Sequence, residues 1–189
     1  MRIIAGIFKG RKILLPVDKS TRPLKDMVRE SIFNILEHSK LTDNKLKNLN
    51  VLDLYSGIGS FGLECLSRGA RKVFFVEKHV PTLEILKKNI KTLNCENKCQ
   101  IIENDVTKLK EFSKISNHKF NLFFLDPPFK DKNVSSIIDL IHDMKIVDKK
   151  GIIIIHRNKD TEEKYNEKMK LIRIENYGKS KIIFNQFVD

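Results

Sequence analysis

A chain of 189 residues is long enough for one domain and a short appendage. Hydrophobic residues make up 41 % of it, enough for a core, yet no apolar run approaches the ~20 residues of a helical membrane span. The net charge of +12 favours polyanionic partners through counterion release, although a lysine-rich composition supplies charge without any partner. Met1–Gly6 lacks the long apolar stretch of a secretion signal, so the expected location is cytoplasmic. Cys65, Cys95 and Cys99 have no second Cys or His pair to complete a zinc site and read as reduced thiols, with no metal expected.

In chain order, Arg2–Ala5 and Arg11–Leu15 are two short candidate strands around Gly6 and Gly10. A helix follows Pro23, with Leu24, Met27, Val28, Ile32, Ile35 and Leu36 as its apolar stripe. Arg22, Lys25 and Arg29 fall outside that stripe and, with Arg11, are candidate contacts to an RNA backbone. Residues 1–45 thus read as a basic hairpin-and-helix extension on the substrate side, and 46–189 as the main domain. A plain structural appendage with solvated charges is the competing reading.

From about residue 50, short apolar runs alternate with amphipathic segments. The runs are 51–55, 73–76, 100–103, 122–125 and 152–155. Several are apolar throughout, as in parallel strands covered on both faces. Between them, Leu83, Leu86, Ile90 and Leu93 recur at helical spacing, with Pro81 suited to the first turn. Val134, Ile137, Ile138, Ile141 and Met144 recur in the same way. This alternation predicts a doubly wound, Rossmann-like α/β domain with right-handed crossovers. Residues 171–174 and 181–188 predict a terminal hairpin around Tyr177-Gly178-Lys179, which adds one antiparallel strand to a mostly parallel sheet.

Residues 51–62, Val-Leu-Asp-Leu-Tyr-Ser-Gly-Ile-Gly-Ser-Phe-Gly, read as a strand, a tight turn and a helix start. The glycines are spaced G-x-G-x-x-G, and Glu77 follows about twenty residues after Gly57. That is the dinucleotide fingerprint, so an NAD(P)-dependent oxidoreductase has to be considered. Against it, Asp53 lies just before the loop. A carboxylate there repels a pyrophosphate and welcomes a cationic ligand carrying an ammonium and a sulfonium, such as S-adenosylmethionine. Glu77 serves either ligand through a ribose diol. Asp105, past the third strand, can accept from an adenine amine while the Val106 N–H pairs with a ring nitrogen, although Asn104-Asp105 also makes turns. The candidate cofactor residues are Asp53, Tyr55, Ser56, Gly57, Gly59, Glu77, Lys78, Asp105 and Val106.

The fourth run leads straight into Asp126-Pro127-Pro128-Phe129, the candidate catalytic tetrapeptide. In an open α/β sheet, ligands bind beyond the carboxyl ends of the strands at the topological switch point. An exocyclic base amine is a poor nucleophile because its lone pair is delocalised. Acceptors that draw its protons make the nitrogen pyramidal and face it to an electrophile. Asp126 supplies one acceptor and a proline carbonyl another, and proline fixes φ and carries no competing N–H. Phe129 can stack on an extruded base. His156-Arg157 and Tyr177 have either a substrate-side or an ordinary structural role.

The chain resembles the bacterial small-subunit rRNA guanine-N2 methyltransferase family over nearly its full length. The resemblance is carried by Met1–Gly6, Phe8-Lys9-Gly10-Arg11, Arg22-Pro23, the run 28–36, the loop 53–64 and Ser67-Arg68-Gly69-Ala70. Leu24 and Met27 depart from the family pattern. The resemblance implies a class I S-adenosylmethionine-dependent methyltransferase fold with a seven-stranded sheet. It further implies a monomer that methylates a guanine of 16S rRNA in partly assembled small ribosomal subunits. N-methylation of another RNA or DNA base and non-catalytic RNA binding are the other readings.

Overall fold

The computed structural model describes residues 1–16, 24–39, 46–111, 113–162 and 167–188. The helices are α1 (Asp26–His38), α2 (Ser60–Ser67), α3 (Val80–Leu93), α4 (Ser113–Ser116) and α5 (Val134–Asp143). The strands are β1 (Asn50–Leu54), β2 (Lys72–Glu77), β3 (Cys99–Glu103), β4 (Phe120–Leu125), β5 (Val147–Asn158), β6 (Met169–Tyr177) and β7 (Ser180–Phe187). They form one seven-stranded sheet in the order β3-β2-β1-β4-β5-β7-β6. β1 to β5 are mutually parallel, and β7 runs antiparallel to both β5 and β6. The doubly wound α/β expectation holds, as does the single antiparallel strand.

Strand parity divides the core in two. Val51, Val73, Phe75, Leu122, Phe124 and Ile154 face one side, with α1, α2 and α3. Leu52, Phe74, Val76, Phe123, Leu125 and Ile153 face the other, with α5. Because side chains alternate faces and both faces are covered, the central strands carry no polar alternation. The helical registers read from sequence for α3 and α5 are observed: Leu83, Leu86, Ile90 and Leu93 are buried, as are Val134, Ile137, Ile138 and Ile141.

The N-terminal segment shares the first of these cores instead of building its own. Ile3, Ile13, Leu24, Val28, Ile32, Phe33 and Leu36 are buried in it. Phe33 of α1, Phe61 of α2 and Phe124 of β4 stack in series, with ring centroids 5.1 and 4.0 Å apart. Such aromatic pairs contribute ~0.5–1.5 kcal/mol each beyond their burial.

Two expectations for this segment are corrected. The strands at 2–5 and 11–15 reduce to a single antiparallel bridge, Arg2 with Lys12. The backbone amides that would extend the ladder turn to α2: those of Ile4 and Ala5 donate to the Glu64 carboxylate at 2.7 and 3.0 Å, and that of Ile7 to the Ser67 carbonyl at 2.8 Å. Within α1, Met27 is exposed and Arg29 is buried, the reverse of the expected stripe. Arg29 Nη2 donates to the Arg2 carbonyl at 2.5 Å and to Asp26 Oδ1 at 3.0 Å, so the guanidinium substitutes for an apolar side chain by having its own acceptors. Arg22 lies outside the described residues.

Candidate functional site

The strand order reverses between β1 and β4, and the crevice beyond their carboxyl ends is the switch point of the sheet. The residues singled out from the sequence at the strand ends converge there. The chain after β1 turns sharply, with Tyr55, Gly57 and Gly59 all at positive φ. Three bonds fasten this loop: Ser56 N–H to the Val76 carbonyl at 3.0 Å, Gly57 N–H to Glu77 Oε2 at 2.9 Å, and Gly59 N–H to the Ser56 carbonyl at 2.9 Å.

The three glycines do different work. A Cβ on Gly57 would meet nothing within 4 Å, so this residue borders open space. A Cβ on Gly59 would lie 2.5 Å from Leu86 Cδ1, and one on Gly62 2.4 Å from Phe75 Cε1. Gly59 and Gly62 therefore permit close packing of α2 on α3 and β2, and of the three glycines Gly57 alone borders open space.

Asp53 is buried beneath this loop, and its Oδ2 accepts the Gly62 N–H at 3.0 Å. Its Oδ1 is buried without a partner among the described residues. The carboxyl group is thus sealed below the loop. Burial pushes its pKa well above the ordinary carboxylate range, and the charges of Asp126 and Glu77 push it the same way. A cation in the crevice would offset the charges of Asp126 and Glu77 and favour the ionised form of Asp53.

At the end of β2, Glu77 Oε1 accepts the N–H groups of Lys78 and His79 at 2.9 and 2.8 Å. At the end of β3, Asp105 accepts Lys78 Nζ and the N–H and hydroxyl of Thr107, all within 2.9 Å. The bonds from Lys78 and Thr107 hold the Asp105 carboxyl down to about 2. Val106 is buried beside it. These carboxylates border the crevice, and their existing donors are residues of the rim itself.

β4 delivers Asp126, whose N–H reaches back to the Leu54 carbonyl at 3.4 Å. The following loop is held at several points. The Tyr55 hydroxyl donates to Asp131 Oδ2 at 2.8 Å, which together with burial raises the phenol pKa. The Pro128 carbonyl accepts Asp131 N–H at 2.8 Å and Arg157 Nη1 at 3.3 Å, while Arg157 Nη2 donates to the Asp131 carbonyl at 2.8 Å. No described residue donates to the Pro127 carbonyl. Phe129 is exposed and meets the His156 ring edge-on, with centroids 5.5 Å apart.

His156 pairs with Asp126 at 2.7 Å between Nδ1 and Oδ1. The sequence left His156 and Arg157 open. Their signal was the polar pair directly after the apolar run of β5, in the position that Asp126 takes after β4. Two further residues went unread. Glu64, inside α2, holds the N-terminal amides. Asn89, inside α3, bonds both the backbone of Leu14 and the Ile58 carbonyl of the glycine loop. The Tyr177 hydroxyl bonds Ser31 of α1, a structural tie between the terminal hairpin and the N-terminal helix.

Among the described residues, the candidate RNA contacts Arg11, Lys25 and Arg29 do not form one exposed cluster. Arg29 is buried and has no surface to offer a phosphate. Arg11 is exposed but spends its guanidinium on the last carbonyls of α3, Thr92 at 2.6 Å and Leu93 at 3.4 Å. Lys25 is exposed just before α1.

The protein-family profile described as conserved hypothetical protein 95 matches residues 1–186. The chain belongs to this family. Ribosomal RNA small subunit methyltransferase D of Haemophilus influenzae is 32% identical over 161 residues, which cover 85% of this chain and 80% of that protein. The Escherichia coli protein yhhF superposes with a TM-score of 0.83 at 25% identity, covering 99% of this chain and 97% of that one. SMU.776, crystallised in complex with SAH, shares the fold at 14% identity with a TM-score of 0.66, over 84% of this chain and 49% of that one. The resemblance carried by the N-terminal run and the glycine loop is borne out, and the fold is that of the class I methyltransferases.

Proposed function

We propose that this protein transfers a methyl group from S-adenosylmethionine to the N2 amine of a guanine in 16S rRNA. The observation that carries the reaction type is the pair of acceptors at the switch point. Asp126 and the Pro127 carbonyl, which no described residue engages, stand at the end of β4 beside the glycine loop. The substrate is carried over from relatives named ribosomal RNA small subunit methyltransferase D, and the net charge of +12 agrees with it.

The residues present fit the cofactor. The open face at Gly57 accommodates its close approach, and the Glu77 carboxylate bonded to the loop suits a cationic ligand better than a pyrophosphate. Glu77 and Asp105 would hold the ribose and adenine ends. When bound, S-adenosylmethionine supplies a methyl group on a positively charged sulfur, which departs as a neutral thioether once the amine nitrogen has taken the methyl. Asp126 and Pro127 draw the two amine protons and turn the nitrogen lone pair out of conjugation. The surplus proton leaves by way of Asp126 Oδ2. Phe129 stacks on the extruded base. Catalysis is then positioning and electrostatics in a preorganised crevice. We place the RNA-facing surface on the N-terminal segment, near Lys25, and take the enzyme to act as a monomer on partly assembled subunits in the cytoplasm.

The test is transfer of labelled methyl to small ribosomal subunits that lack the modification, followed by nucleoside analysis. Label is expected in N2-methylguanosine. Asp126→Ala should abolish transfer while cofactor binding, measured by calorimetry, changes little. Label in a different nucleoside overturns the guanine assignment, and surviving transfer in Asp126→Ala overturns the role of the tetrapeptide.

A further inference from the structure

We infer that His156 is a positioning residue for methyl transfer: it fixes one oxygen of Asp126 so that the other alone meets the substrate amine. This rests on the reading of Asp126 as an amine acceptor.

The pairing follows from strand register. β4 and β5 are parallel with Leu125 opposite Ile155, so the next residues, Asp126 just past the end of β4 and His156 still within β5, lie side by side. His156 Nδ1 and Asp126 Oδ1 lie 2.7 Å apart, with side chains 13% and 23% exposed. A carboxylate only accepts, so Nδ1 carries the proton and donates. Nε2 is buried without a partner among the described residues.

The imidazole is held in its own turn. Phe129 packs against it at 77° between ring planes, and the neighbouring Arg157 holds the Pro128 and Asp131 carbonyls. The end of β5 therefore grips the tetrapeptide at both ends. With Oδ1 fixed, the carboxylate cannot rotate about its Cβ–Cγ bond. Oδ2 and the Pro127 carbonyl then keep a constant separation, which is what two protons on one nitrogen require.

The experiment compares His156→Ala, His156→Asn, His156→Leu, Asp126→Ala and the double variant Asp126→Ala/His156→Ala, with kcat, KM for ribosomal subunits, cofactor affinity and thermal unfolding measured for each. Asparagine places an amide N–H near the position of Nδ1. We expect His156→Ala and His156→Leu to lower kcat by about tenfold to a hundredfold, the scale of a misplaced reacting group. KM and cofactor affinity should stay within about threefold on the same reasoning. His156→Asn should recover most of the lost rate, and His156→Ala should cost nothing further when Asp126 is already alanine. Equal rates for the Asn, Leu and Ala variants, or a raised KM with unchanged kcat, overturn the inference while leaving the role of Asp126 intact. Full activity of Asp126→Ala overturns the underlying reading, and the inference with it.

Discussion

Replacing Arg29 by alanine separates a structural arginine from a nucleic-acid contact. The guanidinium is fully buried, and its best bond is to the Arg2 carbonyl at 2.5 Å. A hydrogen bond from a charged donor contributes ~1.5–3 kcal/mol, and the carbonyl left without a partner costs ~1–3 kcal/mol. The contact with the Ser60 carbonyl, at 3.5 Å, adds little. So does the ion pair with Asp26, whose side chain is 56% exposed. Against these stands the desolvation of the cation, the leading cause of its lowered pKa, which the substitution relieves. The balance is a loss of about 3 kcal/mol, reached through lost bonds and a cavity beside Ile3 and Ile32. At ~2–4 °C per kcal/mol for a chain of this size, Tm should fall by about 6–12 °C. Thermal unfolding reads the stability. Filter binding of rRNA fragments across a salt series reads the contact, and the folded variant should keep the wild-type affinity and salt slope. A Tm shift below about 2 °C by the same scaling, with a salt slope lower by about one, would refute the structural assignment.

The glycines give a paired prediction. Gly59→Ala places a Cβ 2.5 Å from Leu86 at φ +83°, and should cost ~2–4 kcal/mol in urea unfolding through strain and overpacking. Gly57→Ala meets nothing within 4 Å and should cost ~1–2 kcal/mol, yet weaken cofactor binding at least tenfold in calorimetry. Lys78→Ala should release Asp105, whose carboxyl is held down to about 2 by the Lys78 bond first and the Thr107 bonds second. A carboxyl lowered on folding stabilises above its ordinary range and loses that contribution as pH falls through about 2. The variant should therefore show a flatter decline of stability below about pH 4, read from urea midpoints across an acid series. The effect should be small and weakened by salt, since both partners are partly exposed.

The sequence by itself determined the sheet and the places where chemistry could sit. Uniformly apolar runs such as 122–125 fit strands covered on both faces, and Glu77, Asp105 and Asp126 stand at or just past strand ends, where a carboxylate meets donors or solvent. The glycine spacing located the loop, and the N-terminal run carried the family. Tertiary structure alone decided which neighbours these residues meet. Arg29 counted as surface until Arg2, brought beside α1 from the chain start, gave it an acceptor. Glu64 and Asn89 are polar residues inside helices, and their bonds reach segments as far as 60 and 75 residues away. Gly59 and Gly62 look like ligand glycines in a motif, but Leu86 and Phe75 also fill the space that a side chain there would need. His156 reaches Asp126 across 30 residues only because β4 and β5 share a register. Periodicity records the faces of an element, which are local. Hydrogen-bond partners are set by strand order and register, which no local pattern encodes.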